Sequence, residues 1–328
     1  MLVVVAIGGN ALLERGEAPL ADVQEHHVRD AVRALAPLAA DHDLVITHGN
    51  GPQVGLLARE TALDPELSTP YPLDVLGAQT QGMLGYFLLQ ALENELPGHR
   101  VVSLICQTEV GAGDPAFAEP SKFIGPVYGR AESIRLAAQY GWRMAPDGTV
   151  WRRVVASPEP VAIVELASIR SLIGDGAVVV VCEGGGGIPV TRGSDGALRG
   201  VEAVIDKDLA AALLARQLGA DALLILTDVA NVETGFGTPE ARPIGHTTTD
   251  ELRRLTFPAG SMGPKVDAAC RFVEATGKPA MIGRITDAVE VLAGTCGTVV
   301  GPSSPAAPSV VTADPTPSDR TRSPDRMG

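Results

Sequence analysis

Apolar residues along the chain fall into two alternating kinds of segment. Short continuous apolar runs at 2–7, 44–47, 101–106, 177–181 and 222–226 predict strands buried on both faces. Between them lie longer stretches with apolar residues three and four apart, the spacing of amphipathic helices. Residues 21–40 place Val28, Val32 and Leu35 on one face, with Pro37 bending the end. A second helix opens at Pro52, a residue suited to the first helical position. In a third, over 74–96, Leu84, Leu88 and Leu92 recur at four-residue spacing, and Gly77, Gly82 and Gly85 would admit another backbone. Helices near 163–173, over 206–218 and after Gly260 continue the rhythm, the last with Val266, Ala269, Phe272 and Val273 inward. Runs at 280–283 and 298–300 close the sheet. This alternation predicts an α/β protein with a mainly parallel sheet.

The rhythm breaks over residues 107–160. There a helix near 131–140 precedes a hairpin whose strands, 142–145 and 149–155, flank Pro146-Asp147-Gly148. This segment reads as an inserted flap subdomain carrying Lys122. The expected organisation is an N-terminal lobe over 1–175 that includes the flap, and a C-terminal lobe over 176–301. Residues 302–328, rich in Pro, Ser, Asp and Arg without apolar periodicity, predict a disordered tail.

Candidate chemistry gathers in residues 177–219. A buried strand runs into Gly184, Gly185, Gly186 and Gly187, whose bare backbone either faces an anion or makes a plain turn. Asp206-Lys207-Asp208 then opens a helix that Gly219 stops. Aspartates suit the positive end of a helix dipole and a lysine opposes it. Either Lys207 is simply neutralised by its neighbours, or something anionic sits before it. Composition favours the second reading. Of 26 Lys+Arg only four are lysine, namely Lys122, Lys207, Lys265 and Lys278. A lysine retained among so many arginines needs a compact ammonium donor that a planar guanidinium cannot replace. Lys278, before Pro279, stands outside every motif and reads as solvated.

Two further glycine loops follow strands: Gly8-Gly9-Asn10, and His48-Gly49-Asn50-Gly51-Pro52. The spacing in the second invites a dinucleotide reading, but it follows the second strand and no Tyr-x-x-x-Lys pair occurs. The G-x-x-x-x-G-K-[ST] phosphate loop is also absent. His48 caps or stacks, while adjacent His26 and His27 point to different faces of a solvated helix. Cations converge at strand ends without a Ser-His-Asp base. That combination points to phosphoryl transfer onto an acceptor oxygen already ionised.

A net charge of −13 argues against non-specific nucleic-acid binding. Cys106, Cys182, Cys270 and Cys296 stand far apart and read as free core thiols in a reducing compartment. No apolar run approaches the ~18 residues of a membrane span, and the N-terminus lacks the basic region of a signal peptide. The expected location is cytoplasmic, with no membrane partner.

The segments AIGGNALL, THGNGPQVG, PLDVLGAQTQGMLGY, SKFIGP, RRVVASPEP, EGGGGIPV, GVEAVIDKDLA, ILTDV and GSMGPK resemble, in unbroken order over residues 1–301, the carbamate kinases of the amino acid kinase family. SKFIGP and RRVVASPEP are the segments most particular to them. The resemblance implies an open α/β/α three-layer sandwich that forms a homodimer, with carbamate in the N-terminal lobe and ATP or ADP, with Mg²⁺, in the C-terminal one. By position, Gly8, Gly9 and Asn10 would donate to the transferring phosphoryl beside Lys207. Gly49, Asn50, Gly51 and Lys122 would hold carbamate, Asp208 would orient the lysines, and Lys265 would meet the nucleotide phosphates. Gly184 to Gly187 and Asp228 would line the nucleotide side. Two residues depart from the expected pattern. Glu183 sets a carboxylate beside the glycine run where a neutral residue suits phosphate, and Asn231 falls near the expected adenosine position. The rival readings are a kinase for another small carboxylate and a non-catalytic ATP-binding regulator.

Overall fold

The computed structural model describes residues 1–303 apart from 15–16, 177–178 and 259. The expected tail beyond 303 and the start of the 177–181 run lie outside the described residues. Eight strands make one sheet in the order 246–248, 298–301, 280–284, 222–227, 2–7, 43–48, 179–181, 101–103. Every neighbouring pair is parallel except Thr298–Gly301 against Ala280–Arg284.

Alternation along the strands builds two cores. Val3, Val5, Ile7, Leu44, Ile46, Leu224 and Leu226 pack with the helices Ala21–Leu35 and Leu73–Glu95. Val4, Ala6, Val45, Leu223 and Ile225 face the helices Lys207–Leu218 and Met262–Thr276. Period-two alternation thus sends each strand's side chains into both helix layers, giving the expected α/β/α sandwich. From Leu2–Ile7 the chain moves through Ala21–Leu35 on one face to Asp43–His48. From Ala222–Thr227 it moves through Met262–Thr276 on the other face to Ala280–Arg284. The two central strands therefore diverge at their carboxyl ends, and in open parallel sheets such a switch point leaves a ligand crevice.

Pro37 lacks the N–H that would extend the first helix, and the chain tightens there into a 3-10 turn over Ala36–Ala40. Several elements differ from expectation. The helix near 163–173 is Leu166–Gly174, because Ile163 ends a strand, Pro160–Ile163. That strand and Gln107–Val110 join Ile188–Arg192 and Leu198–Gly200 in a separate four-stranded sheet. Within 107–160, the segment expected to be a flap, strands Lys122–Tyr128, Met144–Asp147 and Val150–Val155 form a three-stranded sheet accompanied by the helix Arg130–Tyr140. Its hairpin turns on Gly148-Thr149, since Asp147 already pairs with Val150 and Gly148 takes φ 66. Val179–Val181, assigned above to the C-terminal lobe, sits between Asp43–His48 and Val101–Ser103. Parallel order in a wound sheet need not follow chain order, so the boundary at 175 does not divide the sheet.

The glycines of the third helix also behave differently from expectation. A Cβ at Gly77 or Gly82 would meet nothing within 4 Å, and one at Gly85 would meet only the Ser103 side chain. The backbone-to-backbone approach occurs instead between Gly55 and Gly125, where a Cβ on Gly55 would lie 1.9 Å from the Gly125 Cα. This contact seats the flap strand that carries Lys122 on the helix Gly51–Leu63. Gly55→Ala forces that strand outward at a cost of about 1–3 kcal/mol. Hydrogen exchange should quicken across 122–155 while 2–7 and 222–227 keep their protection. Unchanged exchange in the flap would show that the glycine pair does not hold it.

Candidate active site

Two aspartates organise the start of the helix Lys207–Leu218. Asp206 is its N-cap. Oδ1 accepts from the backbone N–H groups of Asp208 at 2.9 Å and Leu209 at 3.3 Å, satisfying amides that a helix start leaves open. Oδ2 accepts from Lys122 Nζ at 2.8 Å. Asp208 takes Lys207 on Oδ1 and Lys265 on Oδ2, the latter at 3.0 Å. Lysines from three separate segments therefore meet at one helix start. Lys278 lies apart on the surface, donating to the Gly219 carbonyl at 3.0 Å and to Asp221 at 2.9 Å.

Burial sets the charges of this cluster. It pushes the Asp208 carboxyl up, but the ammonium groups of Lys207 and Lys265 outweigh it and hold the acid well below the usual carboxylate range. Asp206 behaves likewise under Lys122. Burial pulls the Lys207 ammonium from 10.5 down to about 8, with Asp208 opposing and Lys265 assisting. Lys265 is lifted, because Asp208 overcomes its burial.

Around the cluster stand the strand-end loops. Gly9 opens a 3-10 turn and Gly51 a helix, and the first amides of such turns have no intrahelical partner. Space here is tight: a Cβ at Gly49 would lie 2.7 Å from Gly9 N and 3.3 Å from Lys207 Cδ. Not every expected donor is available. The Gly8 N–H donates to the Leu226 carbonyl at 2.9 Å and the Gly49 N–H to the Ile7 carbonyl at 3.0 Å. Both bonds extend the parallel ladder into the loops, so these two amides are already paired. The Asn10 side chain lies outside the described set.

The glycine run needs a larger correction. Gly184 and Gly185 pack on His48 and Asn50 of the loop expected to hold the acid, while Gly186 packs on Ile205 and Gly187 on Thr108. A Cβ at Gly184 would meet His48 Nε2 at 2.4 Å, one at Gly185 Asn50 Nδ2 at 2.1 Å, and one at Gly187 Thr108 Oγ1 at 2.0 Å. The run is buried, and Gly185, Gly186 and Gly187 have positive φ. Glycine is required by conformation and packing, against the expectation that these residues line the nucleotide side. Asp228 stays beside the switch point, accepting from Thr227 Oγ1 at 2.9 Å, while a Cβ at Gly8 would lie 3.7 Å from the Thr227 Cα. Asn231 donates to the Ile244 carbonyl at 3.2 Å, a bond that ties its loop to a neighbouring strand.

Several residues around the cluster escaped sequence reasoning. Asp206 was legible only as a helix opener, although it also holds Lys122. Thr80 accepts from Asn50 Nδ2 at 2.9 Å, and Gln81 Nε2 donates to the Gly184 carbonyl at 2.9 Å. The available signal was the polar run Gln79-Thr80-Gln81 in the middle of the helix Leu73–Glu95, of which Thr80 and Gln81 are buried. His48 is buried, and burial with repulsion from Lys207 takes it to about 4 despite the Gly49 carbonyl. It is neutral at physiological pH.

Residues 1–284 match the model of the amino acid kinase family. A carbamate kinase from Rhizobium meliloti (strain 1021) is 52% identical over 307 residues, covering 92% of this chain and 94% of that protein. The chain belongs to the amino acid kinase family and, within it, to the carbamate kinases. The solved carbamate kinase from Giardia lamblia bound to citric acid superposes with a TM-score of 0.86 at 39% identity, over 92% of this chain and 98% of that one. The same Giardia enzyme bound to AMP-PNP gives 0.83 at 40% identity, with the same coverage. The sandwich is thus the fold of the carbamate kinases, and the lysine cluster lies at the start of its helix Lys207–Leu218.

Asp208 is the counter-charge of two lysines whose side chains are only 11% and 13% exposed. Asp208→Asn leaves both ammonium groups without it, and the expected loss is about 3–5 kcal/mol of folding stability at pH 7. Denaturant unfolding measures it. A loss under ~1 kcal/mol would mean that the lysines find other partners.

Proposed function

We propose that this chain catalyses reversible phosphoryl transfer between carbamoyl phosphate and ADP, giving carbamate and ATP. The observation that carries the reading is the convergence of Lys122, Lys207 and Lys265 on one helix start beside three strand-end loops. AMP-PNP in the Giardia relative supports a nucleoside triphosphate as the second ligand.

The chemistry follows from the charges. In the synthetic direction a carbamate oxygen attacks the γ-phosphorus in line and the bond to ADP breaks. The acceptor is already an anion, so no proton has to leave. Catalysis reduces to holding two anions together and neutralising the phosphoryl oxygens as charge shifts. In this reading Lys207, wedged against Gly49, meets the phosphoryl in transfer together with the amides of Gly9 and Asn10. Lys122 and the Asn50–Gly51 loop hold carbamate beneath the flap. Lys265 meets the nucleotide phosphates, with Asp228 on the same side. Asp208 and Asp206 aim the ammonium groups. His48, neutral and buried, takes no part in proton transfer.

Magnesium fits as a companion of the nucleotide. The oxygens of Asp206 and Asp208 already accept from lysines and helix amides, a donor set that leaves a cation to the phosphates. When bound, it neutralises phosphate charge. The reading extends to a homodimer, a cytoplasmic location and a place in arginine metabolism. Among the described residues no helix is long and apolar enough to cross a membrane.

The test is ATP formation from carbamoyl phosphate, ADP and Mg²⁺, compared with Lys207→Ala. No ATP above that control would favour a nucleotide-binding regulator. Lys207→Arg keeps the charge but should lower kcat by roughly 10²-fold or more, and wild-type-like turnover in it would contradict the role given to the ammonium. The pH dependence has a defined sign. The ammonium form is active, so kcat/KM, which reports the free enzyme, should fall as pH rises through about 8. Bound phosphates restore the charge, and Lys207 drops out of the kcat profile.

A further inference from the structure

Glu183 stands between the last residues of the strand Val179–Val181 and the glycine run, and the phosphoryl-transfer reading gives it no role. It is fully buried, and it is the one non-glycine residue with positive φ among the described residues, at 52°. That conformation disfavours any side chain with a Cβ, so this carboxyl is held where glycine would fit more easily. Oε2 lies 2.6 Å from Thr108 Oγ1. Oε1 is buried and has no hydrogen-bond partner. An ionised carboxylate in such a place needs several donors, and it has one.

We propose that Glu183 is a positioning residue: a neutral carboxylic acid that keeps the glycine run seated against Asn50, and whose ionisation unseats it. The surroundings carry the argument. Gly187 lies directly under the Glu183–Thr108 pair, since a Cβ there would fall 2.7 Å from Oε2. The Gly186 N–H donates to the Glu183 carbonyl at 3.0 Å, and Gly185 touches the Asn50 amide. Displacement of the carboxyl therefore passes through three glycines to the loop that begins the helix Gly51–Leu63.

The charged and titratable neighbours are few. The Cys106 thiol and the Glu165 carboxyl each bring one atom within 4.8 Å of a Glu183 oxygen, and the Cys182 thiol is the adjacent residue. His48, against Gly184, is neutral. Glu165 accepts from the Gln107 backbone N–H at 2.7 Å and from its side chain at 2.9 Å, the donors a carboxylate requires. Burial, with the Glu165 charge adding, takes Glu183 from 4.5 up to about 8, against the Thr108 hydrogen bond.

The proposal rests on the phosphoryl-transfer reading for its kinetic arm alone. In wild type, kcat at saturating substrates should fall at least about tenfold between pH 7 and 9.5 as Glu183 ionises. Glu183→Gln, shaped like the neutral acid, should keep kcat at pH 7 within about twofold and lose that alkaline fall. Thr108→Val removes a hydrogen bond that favours ionisation, and should move the fall to higher pH. Two further readouts need no activity. A carboxylic C=O band in wild-type infrared difference spectra should vanish between pH 6.5 and 9.5 and be absent from Glu183→Gln. The raised value also fixes a stability sign. Its contribution is complete below about 4.5 and is lost as pH rises to about 8. The thermal midpoint of Glu183→Gln minus wild type should climb over that window and then level. An unchanged alkaline fall in Glu183→Gln, or a flat midpoint difference, overturns the proposal. So does Zn²⁺ raising the midpoint of wild type but not of Glu183→Gln, since a metal-bound carboxylate has no proton to lose. If no variant makes ATP, the infrared and midpoint arms still decide on Glu183, and the functional reading falls by itself.

Discussion

Two carboxylates at one helix start hold the rest of the cluster in place. Three lysines brought to the positive end of a helix dipole would repel both the dipole and one another. Asp206 and Asp208 remove that conflict by division of labour. One caps the helix and holds Lys122, and the other separates Lys207 from Lys265 by giving each its own oxygen. With His48 neutral, three cations face two carboxylates, a small positive excess inside an acidic chain. That excess is local, and it suits anionic ligands without making the whole surface attractive to polyanions.

The sheet supplies the geometry. Its first strand, Leu2–Ile7, lies between Asp43–His48 and Ala222–Thr227, so the loops after all three open at the same edge. The ladder runs on into those loops through the Gly8 and Gly49 amides, which tie the loop backbones to the neighbouring strands. Gly9, Gly49 and the Lys207 stem can then crowd together, because two of the three carry no side chain. A fixed loop bearing unpaired amides at a helix start is a preorganised anion site.

The sequence made some of this legible and hid the rest, for physical reasons. Long apolar runs and helices with capping signals were readable. Lys207–Leu218 begins after Asp206 and ends at Gly219 with φ 73, as the residues require. The short strands Ile188–Arg192, Leu198–Gly200 and Val232–Thr234 were not readable, since three to five residues with little alternation carry no periodic signal. The lysines were legible because scarcity made them stand out. The meaning of Gly184 to Gly187 was not, because an amide facing a ligand and a backbone pressed on Asn50 both call for a missing Cβ. Asp206 was hidden for a related reason: a cap and a lysine partner can be the same residue, and sequence shows only the first role.

The preference for an ammonium over a guanidinium follows from how Asp208 is shared. A guanidinium is planar and binds a carboxylate with two parallel hydrogen bonds. Placed at residue 207, it would claim both Asp208 oxygens and leave Lys265 without its partner. It would also need width beside Gly49, where the lysine stem already lies 3.3 Å from a would-be Cβ. An ammonium is a compact charge that takes one oxygen and keeps further N–H donors for a phosphate. Burial that lowers its pKa to about 8 makes that charge responsive to what arrives, since an incoming phosphate restores the proton which desolvation weakens. A guanidinium, charged under every condition, would lack that response. The scarcity of lysine in the chain and the division of Asp208 between two ammonium groups are therefore one constraint, seen first in composition and then in geometry.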